Sequence, residues 1–385
     1  MLFVLPLKDI VAAKIAITLY NDCEILHLCK ETKLYLSPEE DWKVIIKKKL
    51  PDDVYPLSLQ EKIMSLMKPI SYEVEMWKEQ HETFNGYQVD QRITSKFHWK
   101  TDGTIDRLKT ASSLIQSDVL PMKQRFRLAC NYWQEESVLS IWEQMSAGLR
   151  DDFCYIEMDD YLESDFFSNI NVIEWIRWHT QIGNSNMREK KWFLAYNWDS
   201  VSLQGLLPQK LTPDERLEII NRTFEWNSDD HSCRFCLLLM PADQRLEVIK
   251  KNPFKVLKSF LFWPGQRMFI EMAHLVKNDL EDYQFFDLLH IIIHQKILHN
   301  WDDFDYFELI REFWSLIPNK CKEFFEGCNM LKPIELIVAN SRLKEPDLKK
   351  YLLRVQQREN NASEIAMNFG KRFFLPHLHG DTYRH

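Results

Sequence analysis

Glycine and proline are scarce in this sequence. Its 385 residues include only 9 glycines and 15 prolines, about half of the roughly 12% combined share in average proteins. β-Sandwiches, barrels and glycine-rich nucleotide folds need many tight turns, and such turns need glycine at positive φ. Helices joined by short polar corners have no such need. The scarcity therefore argues against those classes and favours an all-α chain.

The motifs of common enzymes are also missing. The sequence has no GxGxxG or GxxxxGK[ST] phosphate loop and no GxSxG nucleophile elbow. It also lacks an excess of basic residues, since the net charge is -8. Nucleic-acid binders usually carry a basic footprint. We therefore expect no nucleic-acid partner, no catalytic residues and no cofactor, and a non-enzyme is the more natural expectation.

Long apolar runs and paired cysteine motifs are absent as well. No stretch approaches 18 uncharged apolar residues, the length that suggests a membrane-spanning helix. Lys8 and Asp9 interrupt the first apolar run too early for a signal peptide. The eight cysteines are scattered along the chain, as is usual in a reducing compartment. These features predict a cytoplasmic protein with no membrane partner.

What the sequence does contain is a repeated set of helix-start signals. Ser37 and Thr212 each precede a proline and, three residues after themselves, a glutamate, which is the pattern of a capping box. The string RLEII that begins at Arg216 returns as RLEVI at Arg245, 29 residues later. Apolar residues follow helical spacing, for example at Val138, Ile141, Trp142 and Met145. The sequence thus predicts helical pairs stacked as a solenoid.

One segment departs from helical periodicity. Residues 92–104 contain alternating apolar positions and an Asp102-Gly103 turn, which predicts a short hairpin-like connector. We place the domain boundary here. The predicted organisation is an N-terminal helical region over residues 1–100, followed over residues 101–385 by a helical repeat array with C-terminal capping helices.

An internal match suggests the type of repeat. Five residues match five others 66 positions later: Phe126, Leu128, Ala129, Cys130 and Asn131 correspond to Trp192, Leu194, Ala195, Tyr196 and Asn197. This offset is twice the 33-residue ankyrin period, and residues 126–142 resemble the two-helix half of an ankyrin repeat. The resemblance covers about residues 121–210, although Trp133 stands where that family has a turn glycine. It implies a degenerate ankyrin-like repeat protein, while an irregular α-α array would explain the same pattern.

Aromatic and acidic residues supply the candidate binding site. The chain has 13 tryptophans, 13 tyrosines and 24 phenylalanines, and aromatic side chains anchor many protein interfaces. Trp175 and Trp178 directly follow an acidic stretch that includes Asp159, Asp160 and Glu163. These five residues are the predicted contact patch of a non-catalytic scaffold that binds another protein through the surface of its helical array.

The sequence is also compatible with two alternative functions. His290 and His294 are four residues apart and share a helical face, as zinc ligands do in metallopeptidases. Together with His299 they could serve a metal-dependent enzyme, but three isoleucines occupy the place of the glutamate base. The other alternative is a ubiquitin-ligase substrate adaptor, a role that some ankyrin-type proteins have. Residues 7–17 and 336–353 have apolar spacing suited to a recruiting helix, but neither carries a recognisable recruiting box.

Overall fold

The computed structural model describes residues 5–31, 33–37, 41–85, 91–154, 171–173, 175–176, 203, 205, 211–226, 230–323, 325, 330–339 and 352. These residues are predominantly helical, and the only β pairing among them is an isolated antiparallel bridge between Trp99 and Ile105. The all-α prediction is therefore confirmed for this part of the chain. Within it, no helix combines the length and the apolar character that a membrane crossing needs.

The chain forms two compact units. Unit 1 comprises Met1–Leu34 and Lys43–Met240, and unit 2 comprises Tyr35–Trp42 and Pro241–His385. The boundary predicted near residue 100 lies inside unit 1. The segment Tyr35–Trp42 belongs to unit 2 although the chain on either side of it belongs to unit 1.

Twelve helices are described in unit 1. The first two residues of the third helix belong to unit 2. The helices are α1 (Leu7–Tyr20), α2 (Cys23–Glu31), α3 (Asp41–Lys48), α4 (Leu57–Ser65), α5 (Met67–Asn85), α6 (Gln91–Thr94), α7 (Arg107–Gln116), α8 (Met122–Asn131), α9 (Glu135–Gln144), α10 (Ala147–Cys154), α11 (Pro213–Trp226) and α12 (Asp230–Leu239). Helix α1 packs on α4 and α5, and α5 packs on α8. Helix α8 also contacts its two neighbours in sequence, α7 and α9.

The helix start predicted at Thr212 lies among the described residues. Thr212 and Glu215 form a reciprocal capping box, in which Glu215 N donates to Thr212 Oγ1 at 3.3 Å and Thr212 N donates to Glu215 Oε2 at 2.7 Å. This confirms the predicted start of α11. The capping residues predicted after Ser37, Pro38 to Glu40, lie outside the described residues.

The turn between α8 and α9 forms despite the missing glycine. Trp133 adopts a left-handed φ of 55°, and Gln134 N donates to Ala129 O at 3.0 Å while Trp133 N donates to Cys130 O at 3.1 Å. This pair of bonds is a Schellman motif, which normally places glycine at the left-handed position. A bulky residue there costs about 1–2 kcal/mol. The buried indole of Trp133, 5.9 Å from the ring of Trp175, offsets that cost through packing.

The predicted connector is hairpin-like at its second half. After α6, Lys100 N donates to Thr104 O at 2.8 Å and Asp106 N donates to His98 O at 2.7 Å. Gly103 closes the turn with a φ of 83°, a conformation that glycine adopts without steric cost. Residues 92–104 therefore begin in a short helix and end in a tight turn closed by backbone hydrogen bonds on its two sides.

In the described part of unit 2, one helix contacts three other elements. The helices of this unit are α13 (Ala242–Lys251), α14 (Pro253–Ser259), α15 (Phe269–Val276), α16 (Asp282–His290), α17 (Tyr306–Leu316), α18 (Asn319–Glu323) and α19 (Leu331–Ala339), with a 3-10 turn at Gly265–Met268 and a π-helix at Ile291–Ile297. Helix α17 packs on α15, on α19 and on the π-helix. The peptide bond between Trp263 and Pro264 is cis.

Candidate functional site

The structure places one residue of the predicted contact patch. Trp175 is only 3% exposed, and its indole Nε1 donates to Cys130 O at 3.2 Å. A side chain in this position packs in the core of unit 1. Trp175 is therefore not suited to contact a partner protein. Trp178, Asp159, Asp160 and Glu163 lie outside the described residues.

The three predicted histidines are packed into unit 2. The rings of His290 and His294 stack with centroids 4.2 Å apart, and the Nδ1 of His299 lies 2.5 Å from Leu36 O, to which it donates. Burial lowers the pKa of His290 to about 4 and that of His294 to about 3. Among the described residues, no group of three or more histidine, cysteine or acidic side chains is placed to hold a metal ion. We therefore do not pursue the metal-dependent alternative.

A buried lysine lies two residues after His294. The side chain of Lys296 is on the π-helix and is fully buried. Its Nζ lies 3.4 Å from the ring centroid of Trp301 and 3.9 Å from that of Phe262. We refer to Lys296, Trp301 and Phe262 as the lysine centre. Cation–π contacts of a desolvated ammonium are worth about 2 kcal/mol or more, so these rings help to stabilise a cation inside the unit.

The backbone after the π-helix directs Trp301 into this centre. Asn300 has a left-handed φ of 52°, Asn300 N donates to Ile297 O at 3.1 Å, and Trp301 N donates to Lys296 O at 3.0 Å. This is a second Schellman motif, and asparagine is one of the few residues that accept its left-handed position. The Nε1 of Trp301 donates to Tyr35 O at 3.0 Å, which fixes the orientation of the indole.

Substitution of Asn300 tests the turn that orients Trp301. Asn300→Ala is expected to destabilise unit 2 by about 1 kcal/mol, because a Cβ with no local hydrogen bond is disfavoured at positive φ. Asn300→Gly should cost less, since glycine accepts this φ freely. Urea denaturation of both variants would measure the difference, and equal stability of the two would contradict the assignment.

A buried carboxylate follows the same turn. Asp303 Oδ2 accepts from Gln266 Nε2 at 2.5 Å, and Asp303 Oδ1 accepts from the Tyr306 hydroxyl at 3.0 Å. Burial, followed by the nearby charge of Asp303, raises the pKa of Tyr306 well above its usual range, so the phenol stays a donor. Both carboxylate oxygens therefore have hydrogen-bond donors inside the protein, which is how a buried charge is retained.

Unit 1 has a comparable closed cluster. The imidazole of His81 stacks on Trp77 with centroids 3.7 Å apart. Its Nδ1 lies 2.6 Å from Trp77 O and its Nε2 lies 2.9 Å from the Tyr132 hydroxyl. Because a carbonyl only accepts, the proton is on Nδ1 and Nε2 accepts from tyrosine. Burial lowers the pKa of His81 to about 3, and the ring is neutral at physiological pH.

These clusters hold the types of side chain used in catalysis but keep them away from solvent. Lys296, Asp303, Tyr306 and His81 are all buried. Catalytic groups must reach a substrate, whereas each of these groups contacts buried neighbours within its own unit. The arrangement is suited to stabilising each unit. Neither Lys296 nor His81 was predicted from the sequence, although a single lysine among the apolar residues of segment 291–298 is a visible signal for the first.

Comparison of the chain with protein-family models, with curated proteins and with solved structures found no match.

Proposed function

We propose that the chain is a non-catalytic scaffold that binds another protein through the surface of a helical array. The observation that carries the proposal is a contrast between two kinds of side chain. The clusters around Lys296, Asp303 and His81 are enclosed, whereas apolar side chains of α1 face solvent, with Leu7 75% exposed and Val11 39% exposed. The hairpin of α8 and α9 supports an array of helical pairs, either degenerate ankyrin-like or irregular.

Helix α1 has one face in the core and the opposite face in solvent. Ala12, Ala13 and Ala16 are fully buried on the inner face, where small side chains let α4 and α5 approach closely. Leu7 and Val11 are one turn apart on the outer face, and Ile10 beside them is half-buried. We refer to Leu7, Ile10 and Val11 as the α1 face. Exposed apolar residues at helical spacing are the anchors by which helices bind partner helices.

The charges around the α1 face indicate the chemistry of the partner. Lys8 and Lys14 are exposed on the same helix. The only acidic residue of α1, Asp9, is buried, and its carboxylate lies 3.8 Å from Lys62 Nζ. The outer surface of α1 is therefore apolar with basic flanks. A complementary partner presents an amphipathic helix whose apolar ridge is bordered by acidic side chains.

The double variant Leu7→Glu, Val11→Glu tests this proposal. Both changes put charges into the apolar ridge but leave the helix intact, because glutamate is a good helix former and at Leu7 also lies in the first turn, where a negative charge is favourable. We expect capture of a specific partner by the full-length chain to fall by about tenfold or more, since buried interface anchors commonly contribute 2 kcal/mol or more. Quantitative affinity purification followed by binding measurements with the purified partner would give the change.

The matched control is Ser140→Glu, Gln144→Glu. These residues are also exposed and also one helical turn apart, on α9, and the control adds the same two negative charges. It should capture the partner as the unaltered chain does. If the two double variants lose the same proteins, or if neither loses any, the α1 face is not the binding surface.

A further inference from the structure

Helix α4 and the loop before it carry a second exposed apolar surface in unit 1. Val54 is 60% exposed and Leu57 is 62% exposed. The exposed carboxylates of Asp53 and Glu61 border these two side chains, and Glu61 lies one helical turn after Leu57. We refer to Val54, Leu57, Asp53 and Glu61 as the α4 face. It is an apolar ridge with acidic flanks.

Hydrogen bonds hold the loop before α4 against the helix. Val54 N donates to Pro51 O at 3.1 Å. The side chain of Gln60, which is buried, donates to Tyr55 O at 2.8 Å and to Asp52 Oδ1 at 2.9 Å. The loop is thereby fixed to α4, so the α4 face is a preformed surface.

The α4 face has the chemistry that the α1 face requires of a partner. Each face has two exposed apolar side chains at its centre. Lys8 and Lys14 flank the α1 face, whereas Asp53 and Glu61 flank the α4 face. Among the described residues, none of these four charged side chains has an ion-pair partner. Two unpaired cations on one face thus match two unpaired anions on the other.

The two faces are neighbours on the surface of one chain. Helices α1 and α4 pack on each other, and both pack on α5. Their buried residues, among them Ala12 and Ile63, supply these contacts. Because the exposed faces point away from the contacts, the two faces of one chain do not cover each other. A two-fold axis between them would place the α1 face of each copy opposite the α4 face of the other, and an interface of this kind is closed.

We propose that the α1 face binds the α4 face of a second copy of this chain, so that two copies form a symmetric dimer. This inference rests on the proposed function, because it uses the same α1 face and specifies the partner. Each of the two equivalent contacts buries four exposed apolar side chains and brings two lysines to two carboxylates. An interface of this modest size gives a weak association, with a Kd of about 1–100 μM.

Sedimentation velocity of the purified full-length chain, over about 1–200 μM, tests the proposal. We expect the average mass to rise with concentration toward twice the mass of one chain, without larger species. Purified protein contains no other partner, so this measurement isolates self-association from the binding of a different protein.

Two charge-reversed variants identify the faces that meet. Lys8→Glu, Lys14→Glu makes both faces acidic, and Asp53→Lys, Glu61→Lys makes both faces basic. Each variant alone should dimerise at least about tenfold more weakly than the unaltered chain, because like charges then oppose each other in both contacts. An equimolar mixture of the two variants should form a mixed dimer with a Kd within about threefold of the original, since every acidic face again meets a basic one. This rescue would not occur if the substitutions had damaged the fold.

The matched control is Lys100→Glu, Lys109→Glu. It makes the same charge change at two other exposed positions of unit 1 and should dimerise within about twofold of the unaltered chain. A chain that stays monomeric at 200 μM, a mixture without mixed dimer, or an equal loss in the control would overturn the proposal. If the chain is monomeric but captures a different protein, and Leu7→Glu, Val11→Glu abolishes that capture, the proposed function stands and only the second copy is wrong.

Discussion

Lys296→Ala is expected to lower the free energy of unfolding of unit 2 by about 4 kcal/mol. Truncation removes the buried methylene groups and leaves a cavity, a change that costs about 2–5 kcal/mol for side chains of similar length. It also removes the ammonium that contacts Phe262 and Trp301, a loss of about 2 kcal/mol when the cation is desolvated. Hydrogen exchange of the π-helix, followed by mass spectrometry, would report the change where it occurs.

Lys296→Met is the matched control for this substitution. Methionine fills much of the same volume and contacts aromatic rings favourably through its sulfur, but it has no charge. Since replacing a buried ion by a well-packed apolar group often costs little, we expect a loss of less than about 1.5 kcal/mol. If methionine destabilises the unit as much as alanine, the ammonium has a role that packing and cation–π contact do not explain. A loss below about 1 kcal/mol for alanine would contradict the burial of this side chain.

Acidification is expected to destabilise unit 1 through His81. The pKa of this residue is lowered to about 3 in the folded chain, mainly by burial and further by the charge of Arg107, whereas an unfolded histidine has a pKa of about 6.5. Below pH 6.5 the unfolded state therefore binds more protons than the folded state, so stability falls as pH falls. The contribution is fully present above pH 6.5, and about 2 kcal/mol of it is lost by pH 5.

His81→Phe separates this proton linkage from packing. Phenylalanine can still stack on Trp77 but cannot take up a proton, and it loses the hydrogen bonds to Trp77 O and the Tyr132 hydroxyl. The variant should be less stable at pH 7 and should show a shallower decrease in stability between pH 7 and pH 5. Urea denaturation at several pH values, read from exchange of peptides in α5, gives both quantities. An unchanged slope would mean that His81 does not remain neutral in the folded state.

The features of this fold that could be predicted from the sequence are those set by residues close together in the chain. Scarcity of glycine and periodic apolar residues predicted helices, and the Thr212 capping box is present as expected because its bonds join residues three positions apart. The Asp102-Gly103 turn is equally local. Trp133 shows the limit: the sequence argued against a tight turn there, yet burial of its indole beside Trp175, 42 residues later in the chain, offsets the backbone cost.

The buried clusters in the two units could not be predicted, because they too depend on contacts between residues far apart in the sequence. Lys296 is buried only because Phe262 and Trp301 meet around it, and the surroundings of the buried Arg107 depend on where Glu73 and Gln80 lie. Neither relation is periodic along the chain. Solvent exposure could not be predicted either. Trp175 is of a residue type common at interfaces but lies in the core, whereas Leu7, which lies outside the predicted contact patch, faces solvent.

Site-specific photo-crosslinking tests the proposed function most directly. A benzophenone amino acid at Val11, on the α1 face, should form a covalent adduct with one partner protein in cells, and the same probe at Ser140 should not. The adduct from position 11 should disappear when Leu7→Glu is added. If position 11 gives no adduct beyond those seen from position 140, the α1 face does not bind a protein and the scaffold proposal is contradicted.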